Sequence, residues 1–275
     1  MKFKALFVTF NIVLIVSFLT IFLLPFFILD GAFMRDFWLK NWYFGGIFFG
    51  VLAIVNVLFL SQWKMLSCLE REDWPALARY LENRVMVRKR FTNRFVRLYC
   101  DSLILLGDFA GIKKLSEVLK TGKPALYASF SPRFSAAAIL AGDYDRAHAL
   151  SSGEVTGTDA NVAEWRAFYA AFSRYLAKRF DDAADALVAL ASTARDPLIA
   201  VLSGYLCDTS MSRNCADRAS AFAQAAEEAR LRVGAVFTET RWKGYIDEAK
   251  ADMQIVILGK LITEATAWLF AVPKR

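Results

Sequence analysis

Apolar positions fall along this chain in two regimes. From residue 5 to residue 63 they run almost without interruption; from residue 64 onward they recur every three or four positions with polar residues between. The first regime predicts helices that are apolar all round, and the second predicts amphipathic helices with one buried face. Within the first, residues 42–63 (WYFGGIFFGVLAIVNVLFLSQW) are broken only by Asn56, Ser61 and Gln62 and are long enough to cross a hydrocarbon core. Trp42, Tyr43 and Trp63 stand where interfacial aromatics belong.

A second apolar run covers residues 5–29, behind the basic flank MKFK. No small-residue cleavage site precedes Asp30, so this run reads as an uncleaved span with Pro25 near its far end. The sequence therefore predicts a two-helix transmembrane hairpin in residues 1–63, with spans at about 5–29 and 42–62 and a linker at 30–41. Asn11 and Asn56 should lie at depths agreeing within about 3 Å, at a rise of 1.5 Å per residue. That predicts a side-chain hydrogen bond between the helices. Gly46 and Gly50 form a GxxxG that permits close helix contact, and an oligomer through this face is open. Lys2 and Lys4 at one end, and Lys64, Arg71 and Arg79 at the other, bias both termini to the inner side of the membrane and the linker to the outer side.

Beyond residue 63 four similar stretches appear: EDWPAL at 72–77, GDFAGI at 107–112, GDYDRA at 142–147 and KRFDDA at 178–183. Their aromatics, Trp74, Phe109, Tyr144 and Phe180, are spaced 35, 35 and 36 residues apart. A period of this size is the signature of stacked helical hairpins. In each unit a Gly or polar residue ends one helix, Asp caps the next and the aromatic marks the apex. Ile112, Ala147 and Ala183, three residues later, should face inward. Cys100, Ser135 and Ala171, nine residues earlier, should allow two helices to approach closely. A fifth, weaker unit spans residues 197–232. Residues 239–270 read as one long helix whose wide apolar face would cap the open end of the stack.

At these residues the chain resembles the tetratricopeptide repeat superfamily over about residues 60–230, in degenerate form: the usual early Trp and the Gly at the close contact are absent. The resemblance implies an all-α fold, a binding platform and no catalytic residues. The layout of two spans followed by repeats is also similar to that of bacterial HemY-like membrane proteins, in layout alone, and no haem-related role is carried over. The expected organisation is a hairpin at 1–63, a TPR-like repeat domain at 64–235 and a capping or amphipathic helix at 236–275.

Charge sharpens this picture. The 275 residues are 56% hydrophobic and carry a net charge of +7. Segment 64–100 holds nine Lys and Arg against four acids, whereas residues 101–275 hold 21 of each. Basic character confined beside a membrane segment suits an anionic lipid surface rather than nucleic acid. Arg84, Arg88, Lys89 and Arg90 are the residues expected to meet it.

Candidate chemistry is sparse. One histidine, His148, and four cysteines without CxxC spacing argue against a metal or haem centre, and no cofactor is expected. Cys207 and Cys215 would suit a disulfide in an oxidising compartment; in the cytosol they would be buried thiols. Phosphate-binding loops and nucleophile–base motifs are missing, so an enzyme is not expected. Asp181, Asp182 and Asp185 complement a helix N-terminus. One stripe does suggest binding: Trp165, Phe168, Phe172 and Tyr175 share a helix face. Two readings are open, a core stripe against the next leading helix or an aromatic groove for a partner segment, with Arg94 and Arg97 steering its acidic end. The function expected is a membrane-anchored scaffold or adaptor of the bacterial inner membrane, with its repeat domain in the cytoplasm, that binds a protein partner. The alternative is a structural subunit of an envelope or flagellar-motor assembly with the domain outside.

Overall fold

The computed structural model describes residues 2–28, 31–153 and 159–271, which are helical with no strand among them. The protein is all-α. Packing divides the chain into two compact units, Met1–Val87 and Arg88–Arg275.

The first unit holds α1 (Lys2–Ile28), α2 (Gly31–Glu70) and α3 (Trp74–Glu82), the last running into a π turn at Asn83–Val87. Helices α1 and α2 pack antiparallel. Among the described side chains of α1, Phe7, Asn11, Leu14 and Phe18 are the half-covered ones, at spacings of four, three and four; Phe48, Leu52, Asn56 and Phe59 answer them on α2. Such alternation keeps one seam facing a partner helix. Phe7 stacks on Phe59 at 3.7 Å between ring centroids and Phe18 on Phe48 at 3.8 Å. Midway, Asn56 Nδ2 donates to Asn11 Oδ1 at 2.9 Å, the bond their matched depths predict. A Cβ on Gly46 or Gly50 would meet nothing within 4 Å, so the GxxxG faces away from α1.

Among the described residues one helix is long and apolar enough to cross a membrane, the stretch Trp42–Glu70 of α2; the apolar stretch Ala5–Thr20 of α1 is shorter. One candidate span is thus shown; α1 itself runs from Lys2 to Ile28, and the side chains of its last eight residues lie outside the described residues. The side chains of Lys2, Lys4 and Pro25, and all of Asp30, lie outside the described residues. The expected linker is corrected over residues 31–41: α2 begins at Gly31 and runs unbroken for 40 residues. Neither proline nor glycine occurs between Ala32 and Phe44, so nothing in the sequence stops the helix there.

The second unit is built from α4 (Asn93–Leu106), α5 (Phe109–Gly122), α6 (Pro124–Leu140), α7 (Tyr144–Ser152), α8 (Ala160–Leu176), α9 (Phe180–Thr193) and α10 (Pro197–Leu206). After α10 come a π turn at Cys207–Met211, the single turn α11 (Ser212–Asn214) and α12 (Ala219–Gly234). Each helix packs against the next, and the leading helices α4, α6, α8 and α10 also pack on one another in order.

The backbone itself carries the period. Glu72, Gly107, Gly142 and Lys178 all take positive φ (53°, 67°, 75° and 61°), and these are the only described residues besides Lys89 to do so. In each turn the next amide reaches back five residues: Asp73 to Cys68, Asp108 to Leu103, Asp143 to Ala138 and Arg179 to Arg174, all at 2.9 Å. This is the left-handed closure that satisfies the last carbonyls of a helix. Asp73, Asp108 and Asp143 then cap the following helix through the amides of Ala76, Gly111 and Arg146. Cys100, Ser135 and Ala171 are buried at the close approaches, as are Ile112, Ala147 and Ala183. The apex aromatics Trp74, Phe109, Tyr144 and Phe180 are all half-buried.

The expected single helix at 239–270 is three: α13 (Glu239–Ala249), α14 (Met253–Ile257) and α15 (Gly259–Phe270). A straight helix of that length would extend about 48 Å at 1.5 Å per residue, too far for both ends to share one core. Broken, it buries Trp242, whose Nε1 donates to Thr266 Oγ1 at 3.0 Å, and Trp268, whose Nε1 donates to Asp208 Oδ2 at 2.7 Å. Helix α15 packs on α10 and α12. All four cysteines are free thiols.

Candidate functional site

The face made by the leading helices of the second unit is where the sequence places partner binding. Its aromatic stripe is core. Trp165, Phe168 and Phe172 are 4%, 0% and 7% exposed. Phe168 stacks on Phe172 at 5.5 Å, and Phe172 stacks on Tyr175 at 6.0 Å. The polar edges are also spent inside the chain: Tyr175 Oη donates to Ser210 Oγ at 3.0 Å, and Trp165 Nε1 donates to Asp196 Oδ2 at 3.0 Å.

Asp196 explains why the stripe closes. It caps α10 through the Leu198 amide and accepts Trp165, the Asn161 side-chain amide and the Tyr245 hydroxyl, each within 3.0 Å. One carboxylate thereby ties α8, α10 and α13 together. Burial, with the Asp196 charge beside it, pushes the Tyr245 phenol up, so it stays a neutral donor. The open aromatic groove is therefore corrected to a sealed one. The apolar surplus on α8 is covered by α10 and by the C-terminal helices, which periodicity alone does not place.

On the side of this face nearer α4, polar groups from three successive leading helices converge on the chain between α13 and α15. Arg97 of α4 donates to the Ala251 carbonyl at 2.8 Å. Arg133 of α6 pairs with Asp252 Oδ2 at 2.6 Å. Tyr169 of α8 donates to the Gln254 carbonyl at 3.2 Å. Asp252 meanwhile caps α14, its Oδ1 accepting the Gln254 amide at 3.2 Å. Ile255 and Leu258 follow into the same core as Trp165 and Tyr169.

Local chemistry sets Arg133 in place. Pro132 lies inside α6 and leaves the Ala128 carbonyl without its helical donor, and the Ser131 hydroxyl takes that carbonyl at 3.0 Å. The Arg133 guanidinium lies over the Phe130 ring at 5.1 Å and is buried, with its Nε unpartnered. Beside it, burial pushes the Asp101 carboxyl up, against the pull of Arg133 and Arg97, and Asp101 Oδ1 has no partner. Arg97 and Asp101 are 4.0 Å apart. What this arrangement can do is recognise peptide: two donors for main-chain carbonyls, one buried cation for a carboxylate, and apolar seats beyond.

Of the residues picked from sequence, Arg97 reaches this site. Arg94 is exposed, with no role in it. Arg88, Lys89 and Arg90 are exposed, whereas Arg84 is half-buried, over the Tyr80 ring at 5.3 Å. Arg133, Tyr169 and Asp252 are not marked out by the sequence pattern. Their signal is faint: Arg133 is the one charge in the run SFSPRFSAAA, and Asp252 is the last charge before the apolar run MQIVIL.

A family model described as "Uncharacterised Treponema protein" matches residues 111–271. An uncharacterised protein of Treponema pallidum (strain Nichols) is 34% identical over 231 residues, covering 82% of this chain and 74% of that protein. No solved structure matches.

Proposed function

The chain belongs to the family described as "Uncharacterised Treponema protein", and from its own residues we propose that it is a membrane-anchored scaffold. In this reading the two apolar helices form the anchor in the bacterial inner membrane. The helical hairpins form a degenerate TPR-like platform on the cytoplasmic side, which binds a protein partner and helps assemble a membrane complex. The observation that carries the reading is the series of left-handed turns at 72, 107, 142 and 178, entered directly from the long apolar helix α2. Repeated hairpins of this kind present extended binding surfaces. The exposed Arg88, Lys89 and Arg90 suit an anionic leaflet, at about 1 kcal/mol for each base near the surface.

The test is purification of the full chain from detergent-solubilised membranes. A protein partner should accompany it in stoichiometric amount, and a chain that purifies alone even after chemical crosslinking overturns the scaffold reading. Orientation is tested separately: a membrane-impermeant thiol reagent added to intact cells should spare a Ser152→Cys chain, and labelling would move the platform to the outer face.

A further inference from the structure

We infer that residues 251–258 are a ligand held in cis, occupying a peptide site that a partner segment with a carboxylate three residues ahead of a buried aliphatic side chain would take over. The inference rests on the scaffold reading, and it gives that reading a site, a recognition chemistry and a means of regulation.

The contacts have the character of peptide recognition. Arg97, Arg133 and Tyr169 come from three successive leading helices and meet Ala251, Asp252 and Gln254 in order. Two of the three are made to main-chain carbonyls and would serve any sequence. Selectivity resides in the third contact and in the apolar seats: Asp252 on buried Arg133, then Ile255 and Leu258 at steps of three. The motif held is Asp-x-x-Ile-x-x-Leu.

The cis contact leaves capacity unspent. Arg133 Nε has no partner, and Asp252 engages Arg133 through one oxygen because the other caps α14. A carboxylate not committed to a helix cap could take both edges of the guanidinium in a fork, the stronger arrangement. A segment in trans therefore has an advantage at the residue that confers selectivity.

The segment is also lightly built. Helix α14 has five residues, below the length at which helices persist alone, and turns bound it on both sides. Its outer flank is open: a cleft of about 490 Å³ lined by Trp242 and Ile246 of α13, Ile255 and Val256 of α14, and Ile262 of α15 borders it. Val256 is exposed into this space. Occupation in cis lowers the apparent affinity of a competitor by the fraction of chains in which the site is free.

The test uses the full chain in detergent and a fluorescent peptide of residues 248–260 (EAKADMQIVILGK). Asp252→Lys places a second cation against Arg133 and should release the segment in cis. The peptide should then bind at least tenfold more tightly to D252K than to the natural chain. A peptide with Lys in place of the Asp should not bind. Amides of 251–258 should exchange faster in D252K while those of α10 and α12 stay protected. The milder Asp252→Asn should give the same changes at smaller size. Equal peptide affinity for both chains, binding of the Lys peptide, or unchanged exchange at 251–258 would overturn the inference. So would loss of the melting transition in both variants, because the segment would then be part of the indispensable core. None of these readouts needs the natural partner. Failure here with a co-purifying partner removes the cis ligand alone, and peptide binding without any partner removes the scaffold reading alone.

Discussion

Asn56 donates to the Asn11 side-chain carbonyl at 2.9 Å across the seam of α1 and α2, and each amide also bonds within its own helix, Asn11 to Phe7 and Asn56 to Leu52. The bond lies between two stacked phenylalanine pairs. It sets the register of two helices that have little else polar to align them. Replacing Asn56 by Leu should weaken their association by about 1 kcal/mol. The measurement is disulfide trapping between cysteines placed at Leu14 and Leu52; trapping as efficient as in the Asn56 background would show that the ring stacks alone set the register.

The four left-handed turns make an internally controlled prediction. Gly142→Ala puts a Cβ where φ is 75° and should destabilise the second unit by about 1 kcal/mol. Lys178 already bears that strain at 61°, so Lys178→Gly should stabilise by up to about 1 kcal/mol. Opposite shifts of the melting temperature check the pair. Shifts of the same sign would mean that side-chain contacts, not backbone conformation, govern these positions.

Trp165 and Phe168 test the sealed stripe. Phe168→Ala should cost about 3–5 kcal/mol and lower the melting temperature steeply. Trp165→Phe keeps most of the bulk but strips the indole donor from Asp196, leaving a half-buried carboxylate short of one bond, and should cost about 1 kcal/mol. A Phe168→Ala chain that melts like the natural one would reopen the stripe as a surface.

Asp101 supplies the pH dependence. Its carboxyl is pushed up by burial, so the folded state holds the proton more tightly than the unfolded chain does. Its contribution is therefore fully present below the ordinary carboxylate range and is lost as pH rises through the raised value. Asp101→Asn removes that loss. The variant should melt about 2–4 °C higher than the natural chain at neutral pH, the shift that about 1 kcal/mol produces in a unit of this size. The difference should shrink as pH falls toward 4. A variant less stable at neutral pH would mean that attraction to Arg133 and Arg97 outweighs burial.

What the sequence determined by itself is local. Residues 42–63 are apolar at every turn, so a helix there follows from composition. The turns at 107 and 142 follow from Gly-Asp pairs whose conformational freedom and capping act within six residues. The Asn11–Asn56 bond was legible because two helices joined by a short connection must run side by side, which converts depth along the chain into proximity. The unbroken start of α2 at Gly31 was legible too, in the lack of any helix breaker after it, but charge patterning argued for a linker instead.

The tertiary structure decided everything that depends on which apolar face meets which. Periodicity shows that Trp165, Phe168 and Phe172 share a stripe; it does not say what covers them, and Asp196 with Tyr245, 49 residues further on, settles that. Nor does an amphipathic pattern at 239–270 reveal that the helix must break twice to seat both Trp242 and Trp268. Arg133 and Asp252 lie 119 residues apart. Their pairing follows from neither propensity nor spacing, because a buried charge selects its partner by position in space, and only the folded chain brings α6 and the turn before α14 together.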